Sequence, residues 1–311
     1  MTSRPSPSPQ SVESAAEIRT GLLLATLTTV VWSVNTVVTK AAAGVISPGS
    51  IGFYRWLIAF VVLLPFTARA VWQHRDEVRR QWWKLAVLAA LGMVIYQSLA
   101  YVAAATTSAV NMGVLQGLTP LIATISAGFL AGEGLAPSRL IGGGVSLIGL
   151  VSLTARGDLR TLAGGIHMGD LLMIVAVIAN ALYGVFLRRW RLPLPPWVQM
   201  QGQVFFATLM MMPMWLIGTR SPLTAANVPL VLYAALMASL LAPWTWMHTV
   251  ARLGAGRATM FINLIPILSA AVACLWLGER LEIYHLVGGA LCLVGVSIGL
   301  YEGKGRPTES A

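Results

Sequence analysis

Of the chain's 311 residues, 57% are hydrophobic and only 10% are charged, against about 25% charged residues in a soluble domain. With a mean hydropathy of +0.75, that balance excludes an ordinary soluble globule and points to a membrane. The net charge of +10 does not mark a nucleic-acid binder, because the basic residues lie between apolar runs, where they set membrane orientation.

Residues 1–19 are rich in Ser and Pro, have no apolar run, and are expected to be a disordered cytoplasmic tail. They show no short apolar core with a small-residue cleavage site, so no signal peptide is expected. Ten runs of spanning length follow. They lie near 20–40, 50–68, 83–104, 107–131, 137–155, 168–189, 197–217, 228–250, 254–278 and 282–301. Backbone groups in lipid must pair within their own segment, so the runs are predicted helices. Short alternating segments of a β-barrel are absent. With the N-terminus inside, 15 of the 21 Lys and Arg fall on the inner side, which predicts both termini cytoplasmic.

Residues 101–153 recur 146 residues later as 247–299. In that register Pro120 falls on Pro266, Gly132–Glu133 on Gly278–Glu279, Leu135 on Leu281, Gly142–Gly143 on Gly288–Gly289 and Gly149 on Gly295. Several prolines and glycines in register mark a duplication. Five spans per copy is an odd number, so the second copy enters the membrane from the opposite side. The expected fold is all-α and integral to the membrane: ten transmembrane helices as two inverted five-helix repeats around a central cavity. Repeat 1 covers 20–155, a linker 156–167, repeat 2 168–302, and a second cytoplasmic tail 303–311.

The Pro-broken helix, the turns Gly132-Glu133-Gly134-Leu135 and Gly278-Glu279-Arg280-Leu281, and the glycine-rich helix after each resemble the drug/metabolite transporter superfamily. The ten-helix EamA-type branch is the nearer likeness. Trp32-Ser33-Val34-Asn35 with Lys40, Tyr54-Arg55-Trp56, and Tyr96-Gln97 ahead of Tyr101 add to it. The resemblance covers residues 20–302. It implies a bacterial-type inner-membrane transporter whose relatives export amino acids and other small metabolites, while a related branch moves nucleotide sugars.

Pro120 and Pro266 each remove a hydrogen bond to the carbonyl four residues back, at Gln116 and Ile262, and are expected to kink their helices beside the cavity. Packing alone is the plainer alternative. Gly113/Gly117, Gly128/Gly132 and Gly295/Gly299, each four apart, let backbones approach closely, so the fourth, fifth, ninth and tenth runs should form a packed spine. Glu133 and Glu279 sit at helix ends and are expected to be structural, capping the next helix or pairing with a cation. Asp170 opens the sixth run within reach of the headgroups. Arg55, one turn into the second run, is expected to snorkel outward; binding a carboxylate is the alternative.

The expected cavity lining is aromatic and amide-rich: Trp32 and Asn35; Tyr96, Gln97 and Tyr101; Asn111 and Gln116; Tyr183; Gln203; Trp244 and His248; Asn263. Any one of these side chains could instead be a hydrogen bond between helices; polar stripes on so many runs favour a wet cavity. Trp72, Trp82, Trp83, Trp190 and Trp197 lie at run ends and suit the interfacial belt. Cys274 and Cys292 lie inside apolar runs, so neither a disulfide nor a metal site is expected. No cofactor is expected, and no catalytic residues, because motifs of intramembrane enzymes are missing. The expected partners are a small-molecule substrate, an amino acid or related metabolite, and the lipid bilayer. The oligomeric state is open, a monomer included. With no carboxylate in mid-run, flux is expected to be facilitative. Proton-coupled efflux and nucleotide-sugar exchange are the alternatives, and His248 is the remaining proton-carrier candidate.

Overall fold

The structure, a computed structural model, describes residues 9–131, 137–155, 167–253, 261–262 and 264–300. Glu133, Asn263, most of the linker and the C-terminal tail lie outside the described residues. In order, the helices are α1 (Pro9–Ala42), α2 (Pro48–Gln73), α3 (Arg75–Ala103), α4 (Ala109–Gln116), α5 (Thr119–Ala131), α6 (Pro137–Thr154), α7 (Met168–Trp190), α8 (Pro196–Ile217), α9 (Val228–Leu253), α10 (Ile265–Leu277) and α11 (Ile283–Leu300). Seven segments are long and apolar enough to cross a membrane, and three shorter apolar helices lie in the fifth, ninth and tenth places. With α4 and α5 forming one span, that is ten.

Three expectations about helix bounds change. The N-terminal tail is helical from Pro9 onward. Its Ala and Glu residues are strong helix formers, and an established span extends at little cost, since nucleation is the expensive step. The third run starts earlier than hydropathy suggested, at Arg75, because a polar first turn with Asp76 and Glu77 suits a helix N-terminus. The proline-containing runs break and restart instead of kinking. Pro120 is the second residue of α5 and Pro266 the second of α10. There a missing N–H costs nothing, because the first helical N–H groups have no partner anyway. The Gln116 carbonyl, deprived of a proline donor, instead accepts from the Thr119 hydroxyl at 2.7 Å.

The repeats meet most closely where α6 crosses α11. Ser146 and Cys292 are repeat mates, and they bond each other reciprocally. Ser146 Oγ donates to the Cys292 carbonyl at 3.3 Å, and Cys292 Sγ to the Ser146 carbonyl at 3.6 Å. A Cβ at Gly149 would lie 2.7 Å from the Gly288 carbonyl oxygen, and one at the mate Gly295 2.5 Å from the Gly142 carbonyl oxygen. Mates touching mates is what a local two-fold axis produces, so the crossing point lies on the pseudosymmetry axis of the duplication. Both positions require glycine for backbone approach.

The second helix of each repeat obeys a register of 148 instead of 146. Pro48 and Pro65 of α2 match Pro196 and Pro213 of α8. The third helix of each repeat carries a π-helical segment, Ala90–Ile95 in α3 and Tyr233–Leu241 in α9. Shifted by 146, the first falls inside the second. Such segments tend to occur at functional sites.

Candidate functional site

The side chains expected to line one cavity fall into several groups, some across the repeats and some within one. Trp32 of α1 faces Trp246 of α9, ring centroids 5.8 Å apart. Its indole N–H reaches the Ala238 carbonyl, inside the π segment, at 3.4 Å. The other π segment is held alike: the Trp56 indole N–H donates to the Met93 carbonyl at 3.2 Å. Helical widening leaves carbonyls short of donors, and the two tryptophans supply them. Gln116 meets Thr36 at 3.3 Å. Tyr183 packs so tightly on Gly92 that a Cβ there would lie 2.7 Å from its ring. Asn35 is half-buried, and its Oδ1 has no hydrogen-bond partner among the described residues. Gln97 and Gln203 are buried.

Trp244 and His248 form a pair of their own. Their rings are 4.3 Å apart, and Trp244 is 37% exposed. Thr245 and Thr249, one step round α9, take the buried face, and Thr245 bonds Thr28 of α1 at 2.7 Å. The aromatic–histidine pair is therefore not part of the buried seam with α1.

Arg55 departs most from expectation. It does not snorkel; it is 4% exposed. Its Nε donates to Ser239 Oγ at 2.7 Å, and its Nη1 to the Tyr101 hydroxyl at 3.2 Å. The guanidinium also lies 5.0 Å from the centre of the Trp56 ring. Seven residues beyond the start of α2, it sits about 10 Å along the helix axis. A neutral two-point socket and an aromatic face suit the weak hydration of guanidinium, which explains why it turns inward. Against Tyr101 lies a small pocket of about 130 Å³, with an apolar wall that includes Ala42, Ile46, Pro48, Ile51 and Val102.

Asp170, in the first turn of α7, is turned into the protein rather than out to its surface. It is fully buried; Thr107 Oγ1 and, at 3.3 Å, Asn111 Nδ2 donate to its Oδ1. Its Oδ2 has no partner among the described residues. Gly169 lets α7 press against the turn after α3; a Cβ there would lie 2.7 Å from the Ala103 carbonyl oxygen. The same turn is gripped from two other sides. Lys40 Nζ donates to the carbonyls of Ala104 and Thr107, both at 2.7 Å. Glu279 accepts from the N–H groups of Ala109 and Val110 at 2.9 and 3.1 Å. Glu279 is thus a cap, but on α4 of the other repeat rather than on the next helix. The four free N–H groups at a helix start attract a carboxylate from any element that can reach them.

Among the described residues there is no cluster of His, Cys, Asp or Glu that could hold a metal. Trp72, Trp82 and Trp83 are exposed, and Arg75 and Lys84 lie over Trp72 and Trp83, an arrangement suited to the interfacial belt.

The geometry is that of a multi-pass helical membrane protein with discontinuous helices meeting at the interface of two inverted repeats, a class dominated by transporters. The sequence pattern of the EamA-like transporter family matches residues 19–155 and again 167–301, and the chain belongs to that family. An uncharacterized transporter of Bacillus subtilis, YyaM, is 24% identical, over 83% of this chain and 86% of its own. A protein of Streptantibioticus cattleyicolor named "Probable terminal-alkyne amino-acid exporter" is 27% identical, over 73% of this chain and 76% of its own. A solved crystal structure has the same fold, with a TM-score of 0.62, 20% identity, and coverage of 92% of this chain and 99% of that one.

Proposed function

We propose that this transporter exports small amphipathic metabolites, amino acids first and aromatic ones foremost, by alternating access. It acts in a bacterial-type inner membrane with both termini cytoplasmic, as a facilitator rather than an enzyme. The observation that carries this reading is the meeting of aromatic side chains across the repeats, with Trp32 on Trp246 and Tyr183 on Gly92, and the amide of Gln116 beside Thr36, which lies on the same helix as Trp32. Flat aromatic faces suit apolar side chains, and amides pair with amino and carboxylate groups. The printed name of the Streptantibioticus relative supports the choice of amino acids. Purified protein in liposomes should exchange labelled aromatic amino acids, and Trp32→Ala should slow exchange without unfolding the protein. Absence of amino-acid flux from the wild type refutes the substrate class.

Asp170 favours a second reading, proton-coupled export. A buried carboxylate with one oxygen unpaired is the kind of group whose charge changes during a proton-driven cycle. The charged groups near it, Lys40 and Glu279, are both spent on backbone groups of the turn it contacts. Substrate accumulation driven by a pH gradient alone, and lost in Asp170→Asn, selects this reading. Equal flux with and without the gradient selects the facilitator.

A further inference from the structure

We propose that Arg55 is the anion-binding group of the transport site, so that every substrate must present a carboxylate to it. The inference rests on the export reading above and narrows its substrate class. A buried guanidinium is costly unless its charge is answered, a penalty of several kcal/mol after relaxation. Among the described residues nothing of opposite sign answers Arg55. The ion pairs among the described residues are Arg75–Asp76 and Arg80–Glu77, both on α3. The groups that bind Arg55 are neutral hydroxyls, and the Ser239 hydroxyl spends its own proton on the Ala234 carbonyl at 2.9 Å, so it meets Arg55 as an acceptor. The socket therefore fixes the orientation of the guanidinium and leaves its charge intact.

Guanidinium has five N–H donors. One on Nε and one on Nη1 are committed, which leaves three without a hydrogen bond among the described residues. A carboxylate takes two parallel N–H donors from such a fork. The site is also shared between the repeats: Arg55 and Tyr101 come from the first, Ser239 from the π segment of the second. Relative movement of the repeats would change how many donors the fork can offer, so binding there is sensitive to the transport cycle. A lone guanidinium matches a monoanion. A diphosphate would call for further cations, and Lys40 is committed to two carbonyls.

The test is thermal stabilisation of the purified full-length chain in detergent, read against matched pairs of ligands. The probes are L-phenylalanine and L-phenylalaninamide, phenylacetate and phenylacetamide, and UDP-glucose as the phosphate arm. The expected result is stabilisation by acids over their amides, with half-saturation at least roughly tenfold lower for the acid. Arg55→Gln should abolish that preference, Arg55→Lys should retain part of it, and Ser239→Ala should weaken it while the unliganded melting temperature stays within a few degrees. The comparison in the wild type needs no variant, so a failure of Arg55→Gln to fold does not rescue the idea. Amides binding as well as acids, no acid binding, or an acid preference that survives Arg55→Gln overturns it. Strong stabilisation by UDP-glucose alone overturns it in favour of phosphate. Phenylacetate binding without phenylalanine binding keeps Arg55 as the anion anchor and refutes the amino-acid reading instead.

Discussion

Two of the seams between the repeats are built on opposite rules. At the α6–α11 crossing each residue meets its own mate: Ser146 meets Cys292, and Gly149 and Gly295 each press on the other helix's backbone. At the seam between α2 and α9 the symmetry is broken. In the register set by Pro48/Pro196 and Pro65/Pro213, the mate of Arg55 is Gln203. Arg55 has two hydrogen-bonded partners, whereas the Oε1 of Gln203 is buried without one among the described residues. A duplicated chain keeps its mates alike where the two copies support each other. It lets them diverge where a single asymmetric ligand must be held.

The largest effect should come from breaking the symmetric seam. Gly149→Ala and Gly295→Ala each place a methyl against backbone that cannot yield, and each should cost about 1–3 kcal/mol, seen as similar falls in melting temperature in detergent. Gly184→Ala, where a Cβ meets nothing within 4 Å, is the control and should hold or raise stability, by up to about 1 kcal/mol. Unequal losses from the two mates would mean that the crossing is not equivalent from both sides.

The asymmetric seam is sharpened by exchanging its mates. The double change Arg55→Gln with Gln203→Arg keeps composition and net charge, yet should leave amino-acid exchange in liposomes close to background. Gln203→Leu alone should be neutral or stabilising, since it removes an unsatisfied buried amide worth about 1–3 kcal/mol. Restored transport in the exchanged protein would show that the two halves offer equivalent sites.

Smaller still is Glu279→Gln, which should lower stability by about 0.5–2 kcal/mol through a weaker cap on α4. Because that cap ties the second repeat to the first, the loss should appear as earlier proteolysis of the turn after α3. The smallest is Trp32→Phe. It keeps the ring against Trp246 and removes one N–H bond to a π-segment carbonyl, about 0.5–1.5 kcal/mol.

The duplication, the number of spans and the family were legible because prolines and glycines constrain the backbone wherever they stand, so their register survives when side chains drift. The tight α6–α11 contact fits the spine expected of the fifth and tenth runs, where Gly295 was among the close-approach glycines and Gly149 marked only the repeat register. Arg55 was misjudged because one cation near the end of an apolar run looks identical whether it points out or in. What turns it inward is Ser239, 184 residues along the chain, and Tyr101, 46 residues along. Asp170 was hidden likewise by distant Thr107 and Asn111. Proline spacing could not separate a kink from a break, since both relieve the same missing donor. The π segments left no mark in the hydrophobic pattern, because an apolar run facing lipid and protein alike shows little periodicity.

Those widened turns fix the angular bearing of everything that follows them. Each inserts a residue relative to an α-helix, and each α residue advances the bearing by about 100°. Tyr96, Gln97 and Tyr101 come after the segment Ala90–Ile95, and Thr245 and Thr249 come after Tyr233–Leu241. Straightening Ala90–Ile95 to α geometry with every residue kept would swing Tyr101 by about 100° off Arg55, with no side chain in the site changed, and only deletion of one residue from the segment would bring it back.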